Sequence, residues 1–161
     1  MQPAPVSLSL FRRACGQFAT GVVVAAVRDS NGKPHGLTIN SFTSVSLTPP
    51  LVLICIDHRA AIGEQFRQAT HFGLSILNAS QRDLSNRFAT KPDDRFDGVG
   101  WHLDANGVPL LNDALATLTC QTREVLHGGD HAIFLAEVVG LEVHSGEPLL
   151  YFNSAYAQIQ K

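Results

Sequence analysis

The sequence predicts an all-β barrel with a few short peripheral helices. Three observations carry that prediction. Many short apolar runs are separated by glycine, proline and asparagine turns, helical spacing appears only in brief stretches, and no strand–helix–strand alternation occurs. At 161 residues the chain reads as one domain, 1–161, long enough to bury a sizeable core.

The elements follow in order. Ser7 to Cys15 predicts a short helix, capped by Ser7 or Ser9, with Leu8, Leu10 and Phe11 as a partial apolar stripe. Val22 to Val27, free of charge and rich in valine, predicts a buried strand. Asp29-Ser30-Asn31-Gly32 carries the Asn-Gly signature of a hairpin, so the next strand pairs antiparallel with it. That strand is expected to run from Gly36 to Thr48, where Pro49-Pro50 breaks it before a second apolar strand, Leu51 to Ile56. A helix is expected from Ala60 to Ala69 through Ile62 and Phe66, then a strand from Phe72 to Leu77. Ser80 to Ala89 predicts a helix capped by Ser80, with Leu84 and Phe88 on one face. Lys91 to Asn106 is polar and turn-rich and reads as a mobile or irregular excursion, with Trp101 as either its lid or its anchor. Two long strands, Leu118 to Leu126 and Ala132 to Val143, are joined by His127-Gly128-Gly129-Asp130-His131.

Composition excludes several classes. A net charge of −2 with no basic stripe argues against a nucleic-acid partner. No run reaches the length of a membrane span, and Met1 to Pro5 has no leader pattern, so the expected compartment is cytoplasmic. Cys15, Cys55 and Cys120 are odd in number and lack C-x-x-C spacing, which fits a reduced compartment and gives no zinc signature. Hydrophobic residues make up 45% and charged residues only 16%, hinting that some apolar surface goes into a subunit interface. Gly98-Val99-Gly100 begins a dinucleotide-binding pattern but lacks its third glycine and its helix.

The Gly36–Thr48 run is the most informative. On one continuous strand Thr38, Asn40, Ser44 and Ser46 would share a face of small hydrogen-bonding groups, and Leu37, Ile39, Val45 and Leu47 the opposite, apolar face. The polar face meets either water, as a solvated edge strand, or an uncharged polar ligand.

This run resembles the signature of the flavin reductase family, which has the Greek-key FMN-binding split-barrel fold. Phe18-Ala19-Thr20-Gly21-Val22, Pro49-Pro50-Leu51-Val52, Phe72-Gly73, Leu84-Ser85 with Phe88-Ala89, Gly129-Asp130-His131 and Pro148-Leu149-Leu150-Tyr151-Phe152 fall in the order expected of that family. The likeness extends from about Phe11 to Tyr156.

The resemblance implies a cofactor site. Thr38, Ile39, Asn40 and Ser41 would lie against the flavin ring and the chain leading to its phosphate, and Ser44, Val45 and Ser46 would continue that wall. The turn holding Cys55, Asp57, Arg59, Ala61 and Ile62 would wrap the phosphate, helped by the amino end of a helix starting near Ala60. Relatives usually carry serine or threonine where this chain has Ala60 and Ala61, which leaves more of that work to main-chain N–H groups and Arg59. Cys55 also reads simply as a buried strand residue. Arg87 is either a solvated charge or a phosphate partner, and Phe88 and Ala89 are core or ring contacts. His131 would sit beside the flavin where the nicotinamide stacks, as a positioning and electrostatic group. His127 and His131 offer no third metal ligand. Tyr151 and Tyr156 belong to the nicotinamide side, to a dimer seam, or to packing.

The activity so implied is NAD(P)H-dependent reduction of FMN or FAD by a homodimer that hands reduced flavin to a monooxygenase. The alternative is a flavoprotein that keeps FMN as an electron carrier or redox sensor. The sequence leaves FMN against FAD, and NADH against NADPH, open.

Overall fold

The run from Val22 to Val27 shows no alternation because both of its faces are buried. The protein is described by a computed structural model covering residues 5–90 and 94–160. The expectations at Met1–Ala4 and at Lys91–Asp93 lie outside these described residues. Helix α1 (Leu8–Cys15) is followed by strands β1 (Thr20–Gly21), β2 (Val23–Arg28), β3 (Pro34–Ile39), β4 (Thr43–Leu47) and β5 (Pro50–Asp57). Next come α2 (Gly63–Gln68), β6 (His71–Ile76), a 3-10 turn (Ala79–Gln81) and α3 (Arg82–Ala89). The chain ends with β7 (Trp101–Leu103), β8 (Pro109–Leu111), β9 (Ala116–Gly128), β10 (His131–Val143), β11 (Leu150–Phe152) and β12 (Ala155–Ala157).

Seven strands form one antiparallel sheet in the order β3-β2-β6-β9-β10-β5-β4. β3 also packs against β5, so the sheet curls into a barrel whose two edges are not joined by a ladder. β2 divides two cores. Val23, Ala25 and Val27 join Ile54, Phe66, Phe72, Leu74 and Phe134 in one core. Val22, Val24 and Ala26 face a second, built with Leu77, Phe88, Phe96, Leu111 and Leu149. In the first core, the rings of Phe66, Phe72 and Phe134 meet at centroid distances of 5.7, 5.8 and 6.5 Å, edge to face or tilted, as the aromatic quadrupole prefers.

The Asn-Gly hairpin forms as expected. β2 and β3 pair antiparallel, Gly32 takes φ 83°, and the Asp29 carboxylate accepts the N–H groups of Asn31 and Lys33. The long β9–β10 hairpin is tighter than expected, with only Gly129 and Asp130 between its strands. Gly129 has φ 70°, which other residues resist.

Three expectations are corrected. The Gly36–Thr48 run is two strands, not one. The chain leaves the sheet at Asn40–Phe42, so β3 pairs with β2 at one edge and β4 with β5 at the other. Thr38, Asn40, Ser44 and Ser46 therefore do not line one face. A bulge between Ser44 and Ser46 breaks the alternation again, and Val45 and Leu47 stand exposed at the sheet edge, Leu47 by 93%. The helix expected from Ala60 begins at Gly63, because the chain first makes turns closed by Ala60 N–H to Asp57 and Gly63 N–H to Ala60. The cap before α3 is Asn78 rather than Ser80: its side chain accepts Ser80 N–H while Gln81 accepts Asn78 N–H. Of the alternatives for the excursion after α3, its described part fits the anchor: Phe96 is 4% exposed, and Trp101 lies in β7, edge-on to Phe96 at 5.4 Å.

All three cysteines are free, and burial pushes the Cys120 thiol up to about 12. Among the described residues no helix is long and apolar enough to cross a membrane, and no cluster could hold a metal ion.

Candidate active site

A cleft of about 630 Å³ opens where β3, the 59–62 turn and the end of α3 converge. That volume is in the range of small-molecule sites, roughly 300–1,000 Å³. Its lining joins Thr38, Arg59, Ala61, Ile62, Phe88 and Ala89, six positions implied by the sequence, to His35, Gln65, Arg95 and Phe96. The lining holds two arginines and no carboxylate. A site of that composition suits a flat aromatic ligand that carries phosphate.

Gly36 makes the cleft wall possible. A Cβ there would stand 2.8 Å from Phe88 Cε1 and 3.2 Å from Phe96 Cε2, and Phe88 is fully buried. The Phe88 and Phe96 rings already meet edge to face at 4.9 Å. Gly36→Ala is expected to cost about 1–3 kcal/mol through overpacking. It should also weaken ligand binding in the cleft, as thermal denaturation and flavin titration would show. A variant with unchanged affinity would mean that the two rings shift freely.

The excursion is held to this wall by two crossed arginines. Arg87 of α3 donates to the carbonyls of Arg95 (2.7 Å), Asp94 (3.1 Å) and Asp97 (2.5 Å). In return, Arg95 donates to the carbonyl of Gly36 at 2.6 Å and to that of Thr90. Neither guanidinium has a carboxylate within ion-pair distance among the described residues. Arg87, expected as a solvated charge or phosphate partner, is instead occupied by main-chain carbonyls. Arg95 was not picked out from sequence; its signal, an arginine beside a buried phenylalanine, is too common to stand out.

Several hydroxyls expected to face a ligand are engaged within the protein. Thr38 Oγ1 donates to Ser85 O at 2.7 Å. Ser41 Oγ accepts from Cys55 N–H at 3.0 Å and donates to Cys55 O at 2.9 Å. That pair of bonds staples the β3–β4 connection to β5, across the opening where no ladder runs. Ser46 Oγ accepts Thr48 N–H at 3.2 Å. Ile39 belongs to the barrel core at 8% exposure, whereas Asn40, Ser44 and Val45 are exposed and outside the cleft lining. Cys55 is half-buried on β5, with its thiol pushed up by desolvation.

Two polar groups flank the cleft. Arg59 grips Asp57 with both ends of its fork, Nε to Oδ1 at 3.1 Å and Nη2 to Oδ2 at 2.7 Å, which holds the Asp57 carboxyl well below its usual range. His131 opens β10 directly across from Asp57 and bonds through Nδ1 to Asp130 Oδ1 at 2.7 Å. That bond orients the ring through Nδ1, and among the described residues Nε2 has no hydrogen-bond partner. On the far side of α3, the Tyr156 hydroxyl meets Ser85 Oγ at 2.7 Å and donates to Asn86 Oδ1 at 2.9 Å. Its ring is packed edge-on against Tyr151 and beneath Arg82. Tyr151 and Tyr156 thus brace α3 and lie outside the cleft lining.

The sequence matches the flavin reductase like domain over residues 15–160. The chain belongs to the flavin reductase family. A reductase component of a 4-nitrophenol 4-monooxygenase/4-nitrocatechol 2-monooxygenase from Rhodococcus opacus is 40% identical over 94% of this chain and 81% of its own. A solved NADH:FAD oxidoreductase of Streptomyces globisporus, in complex with NAD and FAD fragments, superposes with a TM-score of 0.90. It is 39% identical, with 94% of this chain and 92% of that one covered. A Rhizobium meliloti relative named as a flavin reductase is 40% identical over 90% of this chain, which spans only 47% of it. The curled sheet with unjoined edges is the split barrel of this family.

Proposed function

We propose that this flavin reductase family protein oxidises NADH or NADPH, reduces FMN or FAD, and passes the reduced flavin to a monooxygenase component. The observation that carries the reading is the carboxylate-free cleft with Arg59, Arg95 and the Phe88–Phe96 wall. Bound flavin supplies the acceptor for a hydride from the nicotinamide. The chain itself binds and orients. Arg59 and the main chain of Ala61 and Ile62 hold phosphate; Arg95, bonded to the carbonyls of Gly36 and Thr90, holds the wall in place; Phe88, Phe96 and Ala89 wall the ring, and Thr38 borders it. Asp57 steadies Arg59. His131, set by Asp130, positions the nicotinamide, because hydride transfer needs close stacking rather than a protein acid or base. Arg87, Tyr151 and Tyr156 act through α3.

A homodimer fits the surface. Helix α1 buries none of its residues, leaving Leu8, Leu10 and Phe11 exposed, and Phe18, Leu47, Leu141 and Val143 are each more than 60% exposed. Apolar exposure on that scale marks an interaction surface. Leu47→Asp is expected to shift the protein from dimer to monomer in size-exclusion chromatography with light scattering; an unchanged mass would place the interface elsewhere. Three free cysteines suit a reducing compartment such as the cytoplasm.

The test of function is NADH and NADPH oxidation by the purified protein, with and without added FMN or FAD. Oxidation that depends on added flavin with micromolar half-saturation, near −8 kcal/mol, supports a reductase that releases its product. A yellow protein that oxidises neither nucleotide favours the electron-carrier alternative.

A further inference from the structure

The cleft does not end at Gln65. That residue also lines a second hollow of about 320 Å³, between the end of β2, the start of β6 and the turn before β8. With its carboxamide oriented to satisfy both ends, Gln65 donates to the carbonyls of Ala61 and Ile62 at 3.1 Å each, so the shared wall is held against the 61–62 turn. A second link lies alongside: Asp29 of the hollow and His35 of the cleft are bonded at 2.8 Å. The two spaces therefore share the Gln65 wall and adjoin at the Asp29–His35 pair.

We propose that this hollow receives the adenylate half of FAD, so that the protein prefers FAD to FMN. The proposal rests on the flavin reading above. With the flavin ring against Phe88 and its phosphate at Arg59 and Ala61–Ile62, any extension of the phosphate chain runs past Gln65 into the hollow. The hollow's chemistry matches an adenosine phosphate. Arg28 at its rim is exposed and has no carboxylate within ion-pair distance among the described residues. Its guanidinium lies so near Gly107 that a Cβ there would be 2.7 Å from Nη2, which sets the cation beside the hollow's glycine turn. Thr70 and His71, bonded to each other through Oγ1 and Nδ1 at 3.0 Å, leave the imidazole Nε2 edge, and Asn106 its amide, for ribose and a purine edge, and Val108, 3% exposed, gives an apolar floor. Asp29, the one acid in the lining, pairs with His35 and accepts from Lys33 N–H and Asn31 N–H; these bonds lower its pKa and keep it charged, while their donors occupy its lone pairs away from an incoming phosphate.

The experiment compares FAD, FMN and AMP binding by calorimetry in the wild type, Arg28→Ala and Ser30→Trp, the last placing an indole in the hollow from an exposed turn. Expected are tighter binding of FAD than FMN by the wild type and competition of AMP with FAD but not with FMN. Each variant should lose about tenfold or more in FAD affinity, with FMN affinity and FMN-supported NADH oxidation unchanged. Equal affinities in the wild type, or parallel losses for both flavins, would overturn the subsite while leaving the reductase intact. Binding of neither flavin would overturn the flavin reading and the subsite together.

Discussion

His131→Ala is expected to lower kcat/KM for the nicotinamide nucleotide about a hundredfold while the flavin Kd stays within about threefold, because displacing a positioned reactant by about 1 Å costs on that order. The prediction follows from the hairpin tip. Gly129 at φ 70° turns the chain in two residues, Asp130 holds the ring through Nδ1, and β10 sets the residue opposite Asp57. His131 lies outside the cleft lining, so its loss should spare flavin binding. Stopped-flow reduction and flavin titration separate the two effects; equal loss of both would show that the residue holds the flavin or the fold. The carboxylates beside it set the acid limit. Asp130 and Asp57 are both held below the usual carboxylate range, by His131 and by Arg59 respectively. A depressed carboxylate contributes its stability above its unfolded pKa, about 3.9, and loses it as pH falls through the lower folded value. Both pairs should therefore survive to below pH 4, and titration of these two carboxyls should not shape activity above about pH 5.

Phe134→Ala should remove about 3–5 kcal/mol of stability, the usual cost of an emptied aromatic site, and lower the melting temperature by roughly 6–20 °C. Phe134 is fully buried on β10 between the rings of Phe66 and Phe72, which come from α2 and β6, so the cavity would open where three elements meet. A loss near 1 kcal/mol in chemical denaturation would mean that the barrel collapses into the space.

Much of the barrel was legible because its signals are local. Asn31-Gly32 favours a hairpin turn whatever surrounds it, and the uncharged, valine-rich run from Val22 to Val27 reads as a buried strand. The cleft was half legible: Thr38, Arg59, Ala61, Ile62, Phe88 and Ala89 were named from a resemblance in motif and do converge. What failed was long-range. No pattern in the Gly36–Thr48 run records that the chain crosses at Asn40 from one sheet edge to the other, so Val45 and Leu47 looked like core. Nor does any local signal show that the Thr38 and Ser41 hydroxyls bond to main-chain atoms 47 and 14 residues away. Arg95 was missed for the same reason, since its carbonyl partner Gly36 is 59 residues distant.

The crossed arginines have a consequence for how this part of the protein can vary. Arg87 and Arg95 grip carbonyl oxygens of Asp94, Arg95, Asp97, Gly36 and Thr90, atoms that every residue type supplies alike. The clasp measures chain length rather than chain identity. Around Phe96 the segment should accept exchanges at Asp97 with little change in flavin binding, whereas inserting one residue between Thr90 and Phe96 should unseat both arginines and the cleft wall with them. An insertion that left flavin affinity intact would show that the spacing is slack.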